Sequence, residues 1–258
     1  MTVSEGTVVV TGASRGIGRA TVDAILARGG KVVAIARDER LLGALQASAP
    51  NRIQALPADL QQLDRISELA SRAVDAFGSV DGLVNCAGIA RYEPVGAIGL
   101  HSVEAQLRVN LVAPLLLSQA LAAHFRVPGG SIVNVSSTLS ERAAPHTLVY
   151  AATKAALNAV TRGLALELAP AGVRVNAVLP GGVETDMLRT PRLGPGETLD
   201  PGEIETRVAS QLAGLAALHP LGGRLGTVEE VAAVILSVLD QTWQTGSLVT
   251  IDGGLSLA

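Results

Sequence analysis

Short β-branched runs alternate along the chain with longer stretches whose apolar positions recur at helical spacing. Thr7–Thr11, Lys31–Ala36, residues 52–56, Gly82–Asn85, Ser131–Val135, residues 173–179 and residues 247–251 read as strands. Several are unbroken Val/Ile/Leu runs, as expected of strands covered on both faces. Helices are predicted between them at about 16–28, 38–48, 64–77, 101–125, 149–169 and 227–240. Gly29-Gly30 and Gly78 supply stops, and Thr227-Val-Glu-Glu230 is a capping-box start. Alternating strands and helices predict an α/β fold: a Rossmann-type, doubly wound parallel sheet of about seven strands with helices on both faces. No linker or short-period repeat interrupts residues 1–258, so a single domain is expected.

The rhythm breaks once. Residues 186–226 carry Pro191, Pro195, Pro201 and Pro220 among many glycines, and inside them Ile204, Val208, Leu212, Leu215 and Leu218 fall at helical spacing. An excursion of this length after a strand suggests a lid over a substrate site, with a plain surface flap as the alternative.

Composition narrows the function. With 48% hydrophobic and 17% charged residues the chain fills a core. A net charge of −3 offers no basic field for nucleic acid or a membrane surface. The single cysteine, Cys86, excludes an internal disulfide, and the four histidines show no metal-ligand spacing, so no metal is expected. The N-terminus lacks signal-peptide features and no apolar run reaches membrane-spanning length, which predicts a cytoplasmic protein.

Candidate chemistry begins at the first strand–helix junction, Thr11-Gly12-Ala13-Ser14-Arg15-Gly16-Ile17-Gly18. Gly12 would permit a tight turn and Gly16 would let backbone approach a pyrophosphate. Gly18 would let the helix pack closely, and the helix N-terminus would offer free N–H groups. At the end of the second strand, where a carboxylate would hold the adenosine ribose of NAD, the chain has Ala36 followed by Arg37. Two guanidiniums, Arg15 and Arg37, suit a 2′-phosphate and predict NADP(H) over NAD(H). Asp38 would oppose this if it faced the ribose; its other role is the N-cap of the second helix.

Tyr150-Ala-Ala-Thr-Lys154 opens a helical stretch, and positions i and i+4 share a face. A nearby cation stabilises phenolate, which would make the tyrosine an acid/base group. Ser136-Ser137 end a strand at the carboxyl edge of the predicted sheet, where open α/β folds bind ligands. Asn110 lies within the preceding long helix.

Together these motifs make the chain resemble the short-chain dehydrogenase/reductase family over nearly its whole length. The resemblance rests on the glycine turn, Asp59, Asn85-Cys86-Ala87-Gly88, Asn110, Ser137, Tyr150-x-x-x-Lys154, Pro180-Gly181 and Asp252-Gly253-Gly254. It implies that Tyr150 exchanges a proton with the substrate oxygen, Ser137 hydrogen-bonds that oxygen, Lys154 lowers the tyrosine pKa and holds the nicotinamide ribose, and Asn110 supports a proton relay. Gly12, Ser14, Arg15, Gly16, Ile17, Gly18, Arg37, Asp59, Leu60, Asn85, Ala87, Gly88, Tyr150, Lys154, Pro180, Gly181, Val183 and Thr185 would hold the cofactor. The chain departs from the family at Cys86, where an asparagine is usual, and at the additional glycine of Pro220-Leu-Gly-Gly-Arg.

The resemblance implies an NADP(H)-dependent oxidoreductase interconverting a ketone or aldehyde and its alcohol, of 3-oxoacyl reductase or secondary-alcohol/sugar dehydrogenase type. A non-enzymatic NADP-binding redox sensor on the same fold is the alternative. Candidate substrate-lining residues are Ile89–Tyr92, Leu139–His146, Gly181–Val183 and the 186–218 flap, with Arg91, Arg142 and His146 available to a polar or anionic group. Pro128 and Ala171 stand where basic residues of carrier-dependent reductases dock an acidic carrier, which speaks against that subgroup. The resemblance further implies a homotetramer or homodimer, with helices 101–125 and 149–169 at a dimer interface.

Overall fold

The computed structural model describes residues 2–125, 129–193 and 197–258. Seven parallel strands form one sheet in the order β3-β2-β1-β4-β5-β6-β7: β1 Thr7–Thr11, β2 Lys31–Ala36, β3 Ile53–Pro57, β4 Gly82–Asn85, β5 Ser131–Val135, β6 Arg174–Pro180 and β7 Leu248–Ile251. Successive side chains leave a strand on opposite faces. Val8 and Val10 therefore enter one core with Val22, Ile25, Ile235 and Leu239, while Val9 enters the other with Leu69, Leu117, Leu121 and Val175. The first core lies under α1 (Gly16–Ala27), α2 (Glu39–Ser48) and α8 (Val228–Asp240); the second lies under α3 (Ile66–Asp75), α5 (Ala113–Ala122) and α6 (Leu148–Leu168). Burial on both sides is why the strands read as continuous apolar runs.

Local chemistry sets the helix ends. The Asp38 carboxylate accepts from Leu41 N at 3.0 Å, so Asp38 caps α2, the second of the two roles its position allowed. At α8, Thr227 Oγ1 accepts from Glu230 N, and Glu230 returns the bond to Thr227 N at 2.8 Å. The Arg224 guanidinium and the Thr227 N–H hold the exposed Glu230 carboxyl down at about 2.

The predicted helix 101–125 departs from regularity. It runs as α4 (Leu100–Leu107), a wide π turn over Arg108–Val112, and α5. Ala113 N–H reaches back to Arg108 O, a five-residue span. Pro114 has no N–H, so the carbonyl four residues earlier, that of Asn110, cannot receive its usual helical bond. The widened turn buries Asn110 completely.

Chain order reverses between β1 and β4, which makes their carboxyl ends the switch point where open α/β sheets bind ligands. Thr11 Oγ1 ties that edge together by accepting from Cys86 N and Ala87 N, both at 3.0 Å. The excursion after β6 holds α7 (Pro201–Ala217), on which Ile204, Val208, Leu212 and Leu215 fall as their spacing predicted. Pro195 lies outside the described residues, as does Pro128; Ala171 is exposed. No helix among the described residues is long and apolar enough to cross a membrane.

Candidate active site

A cavity of about 620 Å³ opens along the carboxyl edge of the sheet. Every cofactor position predicted from the sequence lines it, with the exception of Asn85. Asn85 leaves β4 on the same face as Leu83 and donates to Asn134 Oδ1 at 2.9 Å and Ser118 Oγ at 3.2 Å. Asn134 continues the buried chain to Thr161 Oγ1 at 2.9 Å. Strand alternation thus turns the Asn85 side chain into the sheet–helix interface, where its amide joins β4 to β5 and α5 while Asn134 carries the link to α6, and away from the cavity.

The glycine turn has the shape its residues suggested. Gly12 and Gly16 take positive φ, 68° and 55°. A Cβ on Gly18 would stand 2.3 Å from Gly12 O, closer than any contact permits. Arg15 spans the mouth of the turn, 3.2 Å from Asp38 and 3.4 Å from Asp186, with all three side chains substantially exposed. Arg37 is exposed and has no ion pair among the described residues.

Backbone space, an unencumbered helix terminus and two accessible guanidiniums fit the diphosphate of a dinucleotide carrying a further phosphate. Gly88 makes the same point at the opposite end. A Cβ there would meet Asn110 Oδ1 at 3.4 Å and Lys154 Nζ at 3.6 Å.

Tyr150 and Lys154 rise from the first turns of α6 into the cavity wall, 8% and 4% exposed. Burial pushes the Tyr150 phenol well above its usual range; neighbouring Tyr92 adds to this, and a hydrogen bond with Ser137 opposes it. Burial drives the Lys154 ammonium down to about 8. Its Nζ lies 5.7 Å from the Tyr150 ring centroid and donates to Val135 O at 2.8 Å. The lysine is therefore anchored on β5, beside the tyrosine ring. Burial dominates the Tyr150 phenol, and the group that lowers it is Ser137.

Ser137 is almost fully buried at the end of β5; its Oγ accepts from Leu139 N at 3.1 Å. Ser136 and Thr138 line the cavity on either side, and Ser137 meets it through Tyr150. Asn110 sits behind the wall. Its Oδ1 accepts from Ile89 N and its Nδ2 donates to Ile89 O, both at 2.9 Å, and to Thr153 Oγ1 at 3.1 Å. It braces the β4–α4 loop. Cys86 lines the cavity with its thiol pushed up to about 12 by burial.

Some functional positions have no counterpart in the sequence reading. His219 is 2% exposed; Nδ1 pairs with Leu215 O at 2.8 Å, and Nε2 accepts from Gly182 N at 3.0 Å. The ring fastens the end of α7 to the loop that follows β6. Its signal was available: a histidine closes the apolar pattern of that helix, one residue before Pro220. Arg192 lies inside the 186–218 flap expected to line the substrate end, although it was not singled out there, and it lines the cavity with its guanidinium 4.2 Å above the Tyr92 ring. Of the three polar candidates for the substrate end, Arg142 is on the wall, bonded to Leu255 O, whereas Arg91 and His146 lie off it. No group of three or more His, Cys, Asp or Glu side chains among the described residues could hold a metal.

A switch-point crevice with a glycine turn at one end and a buried tyrosine–lysine pair at the other is an arrangement of nicotinamide-dependent α/β oxidoreductases. The chain belongs to the short-chain dehydrogenase/reductase family: the short chain dehydrogenase model matches residues 6–194. It is an oxidoreductase acting on CH–OH groups.

Short-chain reductase protein NovJ of Streptomyces niveus is 37% identical over 97% of this chain and 94% of the relative. L-xylulose reductase of Homo sapiens is 37% identical over 96% and 95%. Among solved structures, a blue fluorescent protein from a metagenomic library in complex with NADPH superposes with a TM-score of 0.83 at 31% identity, covering 97% of each chain.

Proposed function

We propose that the chain interconverts a ketone or aldehyde and the corresponding alcohol with NADP(H), Tyr150 exchanging the proton with the substrate oxygen. Tyr150 and Lys154 on one wall of the cavity, with Ser137 hydrogen-bonded to Tyr150 behind it and the glycine turn at the other end, carry this reading. A bound nicotinamide supplies the hydride. In reduction the Tyr150 hydroxyl donates to the developing alkoxide, and the Ser137 hydroxyl stabilises the phenolate left behind. Lys154, held by Val135 O beside that ring, supplies positive charge to the same place and donors to ribose hydroxyls. Asn110 keeps the β4–α4 loop on the cofactor side of the cavity. Burial excludes water from all four groups, which strengthens each electrostatic contribution.

Ala36, Arg15 and Arg37 support the preference for a 2′-phosphate. The pairs Arg15 makes with Asp38 and Asp186 are exposed, so they are weak and exchange readily for phosphate. Asp38 is engaged as a helix cap. Ala36→Asp places a carboxylate at the end of β2, where it would accept from a ribose and repel a phosphate. Its expected effect is a fall of about 10–100-fold in the ratio of kcat/KM for NADPH to that for NADH. Initial rates with both cofactors check this; an unchanged ratio would remove Ala36 from cofactor selection.

The names of the similar proteins, a short-chain reductase and an L-xylulose reductase, favour reduction of a small carbonyl compound. The decisive measurement is NADPH oxidation across a panel of aliphatic ketones, keto acids and ketoses. A protein that binds NADPH yet reduces none of them would overturn the proposal.

A further inference from the structure

Deepening the reading above, and resting on it, we propose that the substrate carries a carboxylate and that Arg192 binds it, so that the reaction joins a keto acid and a hydroxy acid. The cavity has two chemically different halves. Its carboxylates among the described residues are Asp38, Asp59 and Asp186, and all belong to the glycine-turn half. The half beyond Tyr150 is walled by apolar groups such as Leu139, Met187, Leu188 and Leu215, and it contains two guanidiniums and no acid.

The two arginines are not equivalent. Arg142 is bonded to Leu255 O. Arg192 has no ion pair among the described residues, and its Nε is buried without a hydrogen-bond partner. A buried guanidinium N–H without an acceptor is costly, and stacking on a ring does nothing for donors that lie in the guanidinium plane.

The side chain is nevertheless held in place. Its backbone N–H donates to Gln211 Oε1 at 3.0 Å, and Gln211 Nε2 donates to Leu188 O at 2.8 Å and Thr190 O at 3.1 Å. The segment that carries Arg192 is thereby strapped to α7. Tyr92 supports the guanidinium face from below.

Arg192 is part-exposed and lines the cavity with no ion pair among the described residues, and a guanidinium edge matches the two oxygens of a carboxylate. Tyr92 lines the same cavity as Tyr150 and carries the Arg192 guanidinium on its ring. A carboxylate on Arg192 would therefore lie in the same cavity as the reacting oxygen. The acid group takes no part in the redox step. The carbonyl carbon gains a hydride from the reduced dinucleotide, and its oxygen gains the Tyr150 proton, leaving a hydroxy acid and the oxidised dinucleotide.

The test compares acids with their methyl esters, using acetoacetate, levulinate and longer straight-chain keto acids with NADPH. The wild type should prefer the acid of the best-fitting pair by about tenfold or more in kcat/KM, expressed chiefly in KM. Arg192→Gln should collapse that ratio through the KM of the acid, and Arg192→Lys should keep part of it, because charge survives without the fork. A wild-type enzyme that treats acid and ester alike overturns the proposal while leaving carbonyl reduction intact, as does an Arg192→Gln enzyme that keeps the preference. Failure to reduce acids, esters and neutral ketones alike would overturn this proposal together with the reading it rests on.

Discussion

Tyr150→Phe is expected to lower kcat by about 10²–10⁴-fold, the span general acid catalysis supplies, with little change in NADPH affinity. The substitution removes one oxygen from a ring that stays packed in the wall, so the cavity keeps its shape and loses its proton donor. The pH dependence distinguishes this from a packing defect. Burial holds the phenol protonated throughout the neutral range, so the wild-type reduction rate should run flat there. It should decline above about 8, where Lys154 sheds its charge. Oxidation needs the phenolate and should rise with pH up to about 8, then level off as Lys154 loses the charge that stabilises it.

The stability sign is separate. The folded-state pKa of Lys154 lies below its unfolded value, so between about 8 and 10.5 the unfolded chain binds more protons. Stability should therefore increase with pH across that window. Single-turnover rates of wild type and Tyr150→Phe across pH check the catalytic part. Retention of more than a tenth of the wild-type rate in the variant would remove Tyr150 from the proton transfer.

Much of this architecture was legible because it follows from local patterns. A run such as Val8-Val9-Val10 can be satisfied only where both faces are covered, and β1 lies between β2 and β4 with a core on each side. The glycine turn was legible because its residues are selected by backbone space, which depends little on distant chain. Asn85 shows the limit. Its place in a motif suggested a cofactor contact, yet the parity of β4 decides which way it points, and parity became visible only with Leu83 and Val84 assigned to their faces.

The π turn at Asn110 escaped notice because it depends on a missing donor at Pro114, four residues downstream. The positions of His219 and Arg192 stood in the sequence, but their roles were hidden for a different reason. Each acquires its role from a partner brought by tertiary folding, Gly182 for one and Tyr92 for the other. The lysine's influence on its tyrosine was overestimated, since sequence spacing conveys proximity and says nothing of desolvation.

The second large effect is expected at Gly18. Its φ is not in the left-handed region, so any residue could adopt its backbone conformation, and what forbids a side chain is the space alone. A Cβ there would lie 2.3 Å from Gly12 O, 2.7 Å from Gly12 C and 3.2 Å from Thr11 O, all of them backbone atoms that no rotamer change can move. Gly18→Ala must therefore push the start of α1 away from β1, at a cost of about 1–3 kcal/mol against a gain of about 1 kcal/mol in helix propensity. The same displacement carries the helix N-terminus off the phosphate position, and NADPH should bind at least about 100-fold more weakly.

Gly43→Ala provides the control. Gly43 lies in α2 with nothing within 4 Å of its would-be Cβ, so the same chemical change should leave binding alone and stabilise the fold by about 0.5–1 kcal/mol. Fluorescence titration of NADPH alongside thermal unfolding separates the two. If Gly18→Ala bound NADPH as tightly as Gly43→Ala does, close approach of α1 to the sheet would not be what makes the cofactor site.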